Sequence, residues 1–222
     1  MKGLIYKDNV AIVTGYWKNA LLVLAIYGGM AFGMDTPFML YAMVFLTGMY
    51  TLSTLSFDEA SHWDAYVRTL PVSARQVVGA KYLLSLLWMG GGVVLALVLL
   101  TLISLVRQGS LNDLGSSLGG CLASLGVVLV YYALSYPLSY KVGANKARTA
   151  VMLAMSVLFL LIVLFARFAM ERNLPRPAML DQLGNMNDAQ GLGLILLVTG
   201  GALVLYGISW VISIAIYRRK EY

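Results

Sequence analysis

Residues 82–106 read YLLSLLWMGGGVVLALVLLTLISLV, twenty-five positions without a charge. A bilayer core about 30 Å thick takes about 20 residues of helix, so this run alone can span it. Working outward, charge-free runs of similar size recur at Thr36–Ser56 (21 residues), Leu114–Tyr140 (27), Thr149–Ala166 (18) and Ala189–Tyr217 (29). A sixth run, Asn19–Met34, has only 16. Its helix is completed by Lys18 snorkelling to the interface, with Tyr16 and Trp17 seated there. Composition agrees. The chain is 60% hydrophobic and 12% charged, with mean hydropathy +0.79, where soluble domains carry about 25% charged residues. The expectation is an all-α membrane protein: one transmembrane domain, 1–222, with spans near 19–34, 36–56, 82–106, 114–140, 149–166 and 189–217.

The sixteen lysines and arginines are unevenly distributed. With the N-terminus placed in the cytoplasm, twelve fall inside: Lys2, Lys7, Lys18, Arg68, Arg75, Lys81, Lys141, Lys146, Arg148, Arg218, Arg219 and Lys220. Four fall outside: Arg107, Arg167, Arg172 and Arg176. This positive-inside bias predicts a multi-pass protein of the cell membrane with both termini cytoplasmic. The net charge of +6 is thereby a topology signal, and nucleic acid is not an expected partner. Residues 1–18 mix apolar positions with Lys2, Lys7, Asp8 and Asn9, which predicts a short helix lying in the interface. The first apolar run begins late and lacks a small-residue cleavage site, so it does not read as a signal peptide. Cys121 lies inside an apolar run and is expected to be a packing residue.

Several chemistries find no support. No charge lies near the centre of a span, which argues against a transporter driven by an ion gradient. The pattern Gly115-Ser-Ser117-Leu-Gly119 resembles a nucleophile elbow, but that motif needs a strand–turn–helix and a histidine partner. The only histidine, His62, is predicted on the opposite side. The same glycines, with Gly29 and Gly33, fit close helix packing. His62 with Asp58, Glu59 and Asp64 is too few ligands of the right kind for a metal site. There is no phosphate-cradling loop, so no catalytic residue, cofactor or metal site is assigned, and any ATP and magnesium would be bound by a separate chain.

The cytoplasmic segment 57–80 between spans two and three is compact, charged and aromatic. Ser56 with Glu59 has the spacing of a capping box, with Asp58 and Glu59 at the positive end of the following helix. Phe57, Trp63, Tyr66 or Val67, and Leu70 recur at helical spacing, giving one apolar face, and Pro71 ends the segment. Ser73 with Gln76 is a second capping box that opens span three. The reading is a short amphipathic helix, a proline turn and a capped start of the next span. Pro137 is expected to strain the inner end of span four, with neighbouring helices satisfying the carbonyl it frees. In the outer 167–188 loop, Ala178–Leu183 has the makings of a brief helix.

The segment Phe57-Asp58-Glu59…Trp63-Asp64…Tyr66…Leu70-Pro71-Val72-Ser73…Arg75-Gln76-Val77-Val78…Lys81-Tyr82, together with the N-terminal Met-Lys-Gly-Leu-Ile-Tyr-Lys-Asp, resembles the small six-span ABC-2 type transporter permeases. These include permeases of antimicrobial-peptide exporters of Gram-positive bacteria. One departure is that Ala74 stands between Ser73 and Arg75, where the family usually has Arg. The resemblance implies a pair of permeases, identical or homologous, above two cytoplasmic ABC ATPase subunits. It implies that the helix at 58–69 is a coupling helix seated on the ATPase, with Phe57, Asp58, Glu59, Trp63, Asp64, Tyr66, Arg68, Leu70 and Pro71 at the contact. The implied function is export of an amphipathic or hydrophobic substrate, whether peptide, lipid or drug. The alternative is a non-transport membrane sensor or assembly protein that uses the same loop for another cytoplasmic partner.

Overall fold

The computed structural model describes residues 1–34, 38–67, 69–108, 114–172 and 187–219. They form seven helices: α1 (Lys2–Met34), α2 (Phe38–Ala60), α3 (Trp63–Val67), α4 (Ala74–Gln108), α5 (Leu114–Val142), α6 (Ala144–Glu171) and α7 (Asp188–Arg219). Six are long and apolar enough to cross a membrane, and α3 is the exception. No strand occurs among the described residues. The fold is all-α, and it is a membrane fold.

Two helix boundaries differ from the sequence reading. The expected interfacial helix over 1–18 does not exist as a separate element, because α1 runs unbroken from Lys2 to Met34. Nothing in the segment breaks a helix, and Lys7 and Asp8 are engaged in ion pairs with α2 and α4, Asp8 buried and Lys7 partly exposed. Nor does a helix begin at Ser56–Glu59. Span two continues through them to Ala60, and Ser56 instead bonds Asn145 at 3.1 Å. The chain turns at Ser61 and His62, where His62 takes φ 52°, a left-handed conformation tolerated more readily by histidine than by most residues. The proposed 58–69 helix is thus split, and only Trp63–Val67 is helical beyond the turn. The capping box at the start of α4 is present in full: Ser73 N–H donates to Gln76 Oε1 (3.0 Å) and Gln76 N–H to Ser73 Oγ (3.3 Å). The turn at 35–37 and the outer-loop segment 178–183 lie outside the described residues.

The centre of the bundle is aromatic and hydroxylic. α5 and α7 form its most extensive helix pair. Tyr132, Tyr136 and Tyr140, four residues apart on α5, are all buried, as are Tyr82 of α4 and Tyr206 and Tyr217 of α7. Tyr82 stacks on Tyr136 at 4.4 Å. Pro137 lies inside α5 and leaves the carbonyl of Ala133, four residues back, without its helical partner. Ser209 of α7 donates to that carbonyl at 2.7 Å. Since Ser209 has one proton, Tyr82 must donate to Ser209 Oγ (2.8 Å), and Ser213 must donate to Tyr82 (2.7 Å). Tyr206 donates to the Tyr82 carbonyl at 2.9 Å. One proline therefore sets the direction of a chain of hydrogen bonds through three helices.

Glycine packing is selective. Gly120 of α5 lies against the Tyr41 ring, where a Cβ would collide, and Gly119 faces Leu192 and Ile195 of α7. Gly29, Gly33 and Gly115 face open space and do not serve the close packing expected of them. The elbow-like Gly115–Gly119 segment is plain helix within α5. Cys121 is fully buried in a second cluster with Ala31, Leu40, Met43 and Leu100. α6 is held over its first half, through the buried Ala144, Ala147 and Val151 and the partly buried Met152 and Met155. Every residue from 156 to 168 is exposed.

Ser209→Ala is expected to cost about 1 kcal/mol, because both Ala133 and Tyr82 lose a partner. Adding Pro137→Ala should return part of that, since residue 137 then donates its own N–H to Ala133. Thermal unfolding in detergent of the wild type, both single variants and the double variant reads the coupling. Simple additivity would count against the assigned hydrogen-bond chain.

Candidate functional site

The helix ends richest in lysine and arginine converge at one end of the bundle, here called the basic end. There α1, α2 and α4 each contribute charge to a quartet in which Asp8, Asp58 and Lys81 are buried and Lys7 is partly exposed. Lys81 Nζ lies 2.9 Å from Asp8 Oδ2 and 2.5 Å from Asp58 Oδ2. Lys7 Nζ lies 2.6 Å from Asp58 Oδ1 and 3.1 Å from Asp8 Oδ1. Each lysine bridges both aspartates. The side chains of Asp8 and Lys81 are only 4% exposed.

Helical spacing explains why these charges point inward. On α2, Asp58 follows Thr51, Thr54 and Leu55 on one buried stripe. On α4, Lys81 lies between the buried Val77 and Val78 and the buried Ser85. On α1, Asp8 stands one turn before Ile12, which is fully buried. Each charge occupies a core register, and the cost of desolvating it is met only because the opposite charges arrive together. The sequence reading did not find the quartet. Its available signal was register: Asp8, Asp58 and Lys81 each continue a buried stripe by three or four residues.

The loop hangs from this quartet. Lys7 Nζ also sits 3.9 Å from the Trp63 ring centroid, a cation–π contact made beside the ion pairs. Val67, 2% exposed, anchors α3 in the core, and Trp63, Leu70 and Val72 pack around the same cluster. Glu59 has a different task. Its Oε2 accepts from the Ala144 N–H at 2.9 Å, so a carboxylate caps the positive end of α6. The preceding Gly143 has φ 95°, and a Cβ there would fall 2.7 Å from Glu59 Oε1. Only glycine fits that junction.

The structure sorts the expected contact residues into two groups. Asp58 is buried in the quartet, Trp63 is half-buried on Lys7, and Leu70 packs against the core. Asp64 is also half-buried. Phe57 and Tyr66 are exposed, at 41% and 57%, and Glu59 and Pro71 also reach the surface. Arg68 lies outside the described residues. The loop is not the single amphipathic helix expected, because the turn at His62 reorients α3 and leaves Asp58 inside and Tyr66 outside. His62 is exposed at that turn. No group of three His, Cys, Asp or Glu side chains suited to a metal occurs among the described residues.

Lys81→Met is expected to destabilise the protein by about 3–5 kcal/mol, because it strands two buried carboxylates with one lysine. The Lys81→Met/Asp58→Asn pair should lose at least about 1 kcal/mol less than the sum of the single changes. Detergent unfolding curves check both, and additive losses would mean the charges do not act as one unit.

The whole arrangement, six apolar helices with a short loop helix pinned by buried charge, can be set beside known proteins. No curated protein and no solved structure matches the chain. The family described as ABC-2 family transporter protein matches residues 3–218, nearly the full length. The chain accordingly belongs to the ABC-2 transporter family, and is a multi-pass membrane permease of an ABC transporter.

Proposed function

We propose that this permease is the membrane subunit of an exporter, energised by ABC ATPase subunits that dock on the loop between α2 and α4. The basic end then faces the cytoplasm, both termini lie there, and the membrane is the cell membrane. The substrate is amphipathic or hydrophobic, with antimicrobial peptides, lipids and drugs as its candidate classes. A second permease, identical or homologous, completes the pore. The uncovered apolar length of α6 supports such a pairing. ATP and magnesium belong to the partner ATPase.

One observation carries the docking proposal. Lys7 joins the loop helix to the bundle: it contacts Trp63 of α3, pairs with Asp58 of α2, and through both aspartates connects with Lys81 of α4. A push on α3 reaches three membrane helices through short, polar, directional contacts. The surface offered to the ATPase centres on Tyr66 and Phe57, flanked by Glu59 and Pro71. Exposed aromatics of this kind contribute most to small interfaces.

The test is Phe57→Ala/Tyr66→Ala in the assembled complex. Both side chains are largely exposed, so the permease should melt as wild type. ATPase co-purification should fall at least about tenfold, in line with losses of roughly 2 kcal/mol at an interface anchor. Wild-type ATPase recovery together with wild-type export would reject docking on this loop and favour a membrane-surface role for it.

A further inference from the structure

A groove runs along α1 where it faces α4. Its lower chamber, about 640 Å³, begins at Lys2 and is walled by Tyr6 and Asn9 of α1 and by Leu87, Trp88 and Gly91 of α4. A second chamber of about 390 Å³ continues along the same face of α1, from Ile12 to Leu24. Trp88 and Leu95 line both chambers. Trp88 Nε1–H donates to Asn9 Oδ1 at 3.1 Å, which fixes the indole where the two chambers meet. Gly90 and Gly91 have no neighbour within 4 Å of a notional Cβ, so the wall of α4 is bare there.

The structure assigns to the lower chamber a binding site for an anionic lipid of the leaflet at the basic end. Three observations select that occupant. First, the lining is mostly apolar, its polar groups being the Lys2 ammonium, the Tyr6 and Thr47 hydroxyls, the Asn9 amide and the Trp88 indole N–H, with no carboxylate among the lining residues. The nearest acid, Asp8, is turned into the quartet. A positive mouth above an apolar wall complements a negative headgroup with a hydrocarbon tail. Second, the α4 wall from Leu84 to Leu95 is about 16 Å long, close to half of a hydrocarbon core about 30 Å thick. The chamber therefore has the depth of one leaflet. Third, the α4 flank is bare at Gly91 and carries the exposed Leu87, an open apolar surface along which an acyl chain can lie. Acyl chains fit such a groove, and a helix from a second copy is the competing occupant that crosslinking distinguishes. The site goes beyond the export reading and does not depend on it, which contributes only the name of the leaflet.

The test reconstitutes the full chain with phosphatidylglycerol carrying a photoactivatable group in its acyl chain, and in parallel with phosphatidylcholine carrying the same chain. Mass spectrometry maps the adducts. Phosphatidylglycerol should label residues 2–9 and 84–95 about fivefold more than phosphatidylcholine, the factor one lysine near a charged headgroup supplies. Lys2→Gln should reduce labelling to the phosphatidylcholine level. Gly91→Leu should abolish it with either lipid, and Leu87→Trp should do the same from an already exposed position, so a folding defect in one variant leaves the other decisive. Equal labelling by the two lipids would overturn the site, as would adducts spread evenly over α6 and α7. Labelling that survives both groove-filling variants would overturn it too. So would crosslinks at these residues to a second copy of the chain.

Discussion

Burying three charges at once, with a fourth at their edge, is the condition on which the basic end of this permease depends. Asp8 and Asp58 come from neighbouring helices, and each would be costly alone in an apolar bundle. Lys7 and Lys81 lie between them, so every carboxylate has two lysines and every lysine two carboxylates. The group is neutral as a whole and stable only as a whole. It fixes the rotation of α1, α2 and α4 about their axes, since a turn of any one would withdraw its charge from the others. Through Lys7 and Trp63 it also fixes the seat of the loop helix. Apolar packing alone would define these rotations less sharply, because one leucine face slides past another at little cost.

Further along the bundle a different constraint performs the same service. A proline in α5 frees a carbonyl, and the serines of α7 and the tyrosine of α4 arrange themselves around it. With no water to complete broken hydrogen bonds in hydrocarbon, such a defect must be repaired by a neighbour. The repair carries specificity: Ser209 must stand level with Ala133, which sets the register of α7 against α5. Ion pairs at one end and hydroxyl bonds at the centre thus supply the directional information that lipid-like side chains lack.

Five of the six spans were legible because each is a long uninterrupted apolar run, and hydrophobic length is a local property; the first, with only 16 charge-free residues, was completed by Lys18 at its edge. The capping box of Ser73 and Gln76 was legible for the same reason: its partners are three residues apart. The quartet was not, because Lys7 meets Asp58 across 51 residues, and nothing local reports which helices touch. The same gap explains the N-terminus. Lys7 and Asp8 look like solvated charges until partners on α2 and α4 are known, and without those partners an interfacial helix is the reasonable reading. Ser56 and Glu59 show a further ambiguity. Their spacing suits a helix start, yet no breaker precedes them, so the existing helix simply continued. The ABC-2 resemblance drew attention to this loop, but it could not tell which of its aromatics face water.

The attachment of α6 has a mechanical side. Twenty-eight residues of rigid helix extend about 42 Å, and only the stretch up to Met155 is clasped by the rest of the chain. The clasp starts at Gly143, where the backbone holds a positive φ and the carboxylate of Glu59 grips the next N–H. This is the geometry of a long arm on a pivot at one end. One degree of tilt at the pivot displaces the far tip by about 0.7 Å, given that length. A displacement at Glu59 too small to disturb any packed core is therefore magnified several-fold by the time it reaches the other side of the membrane.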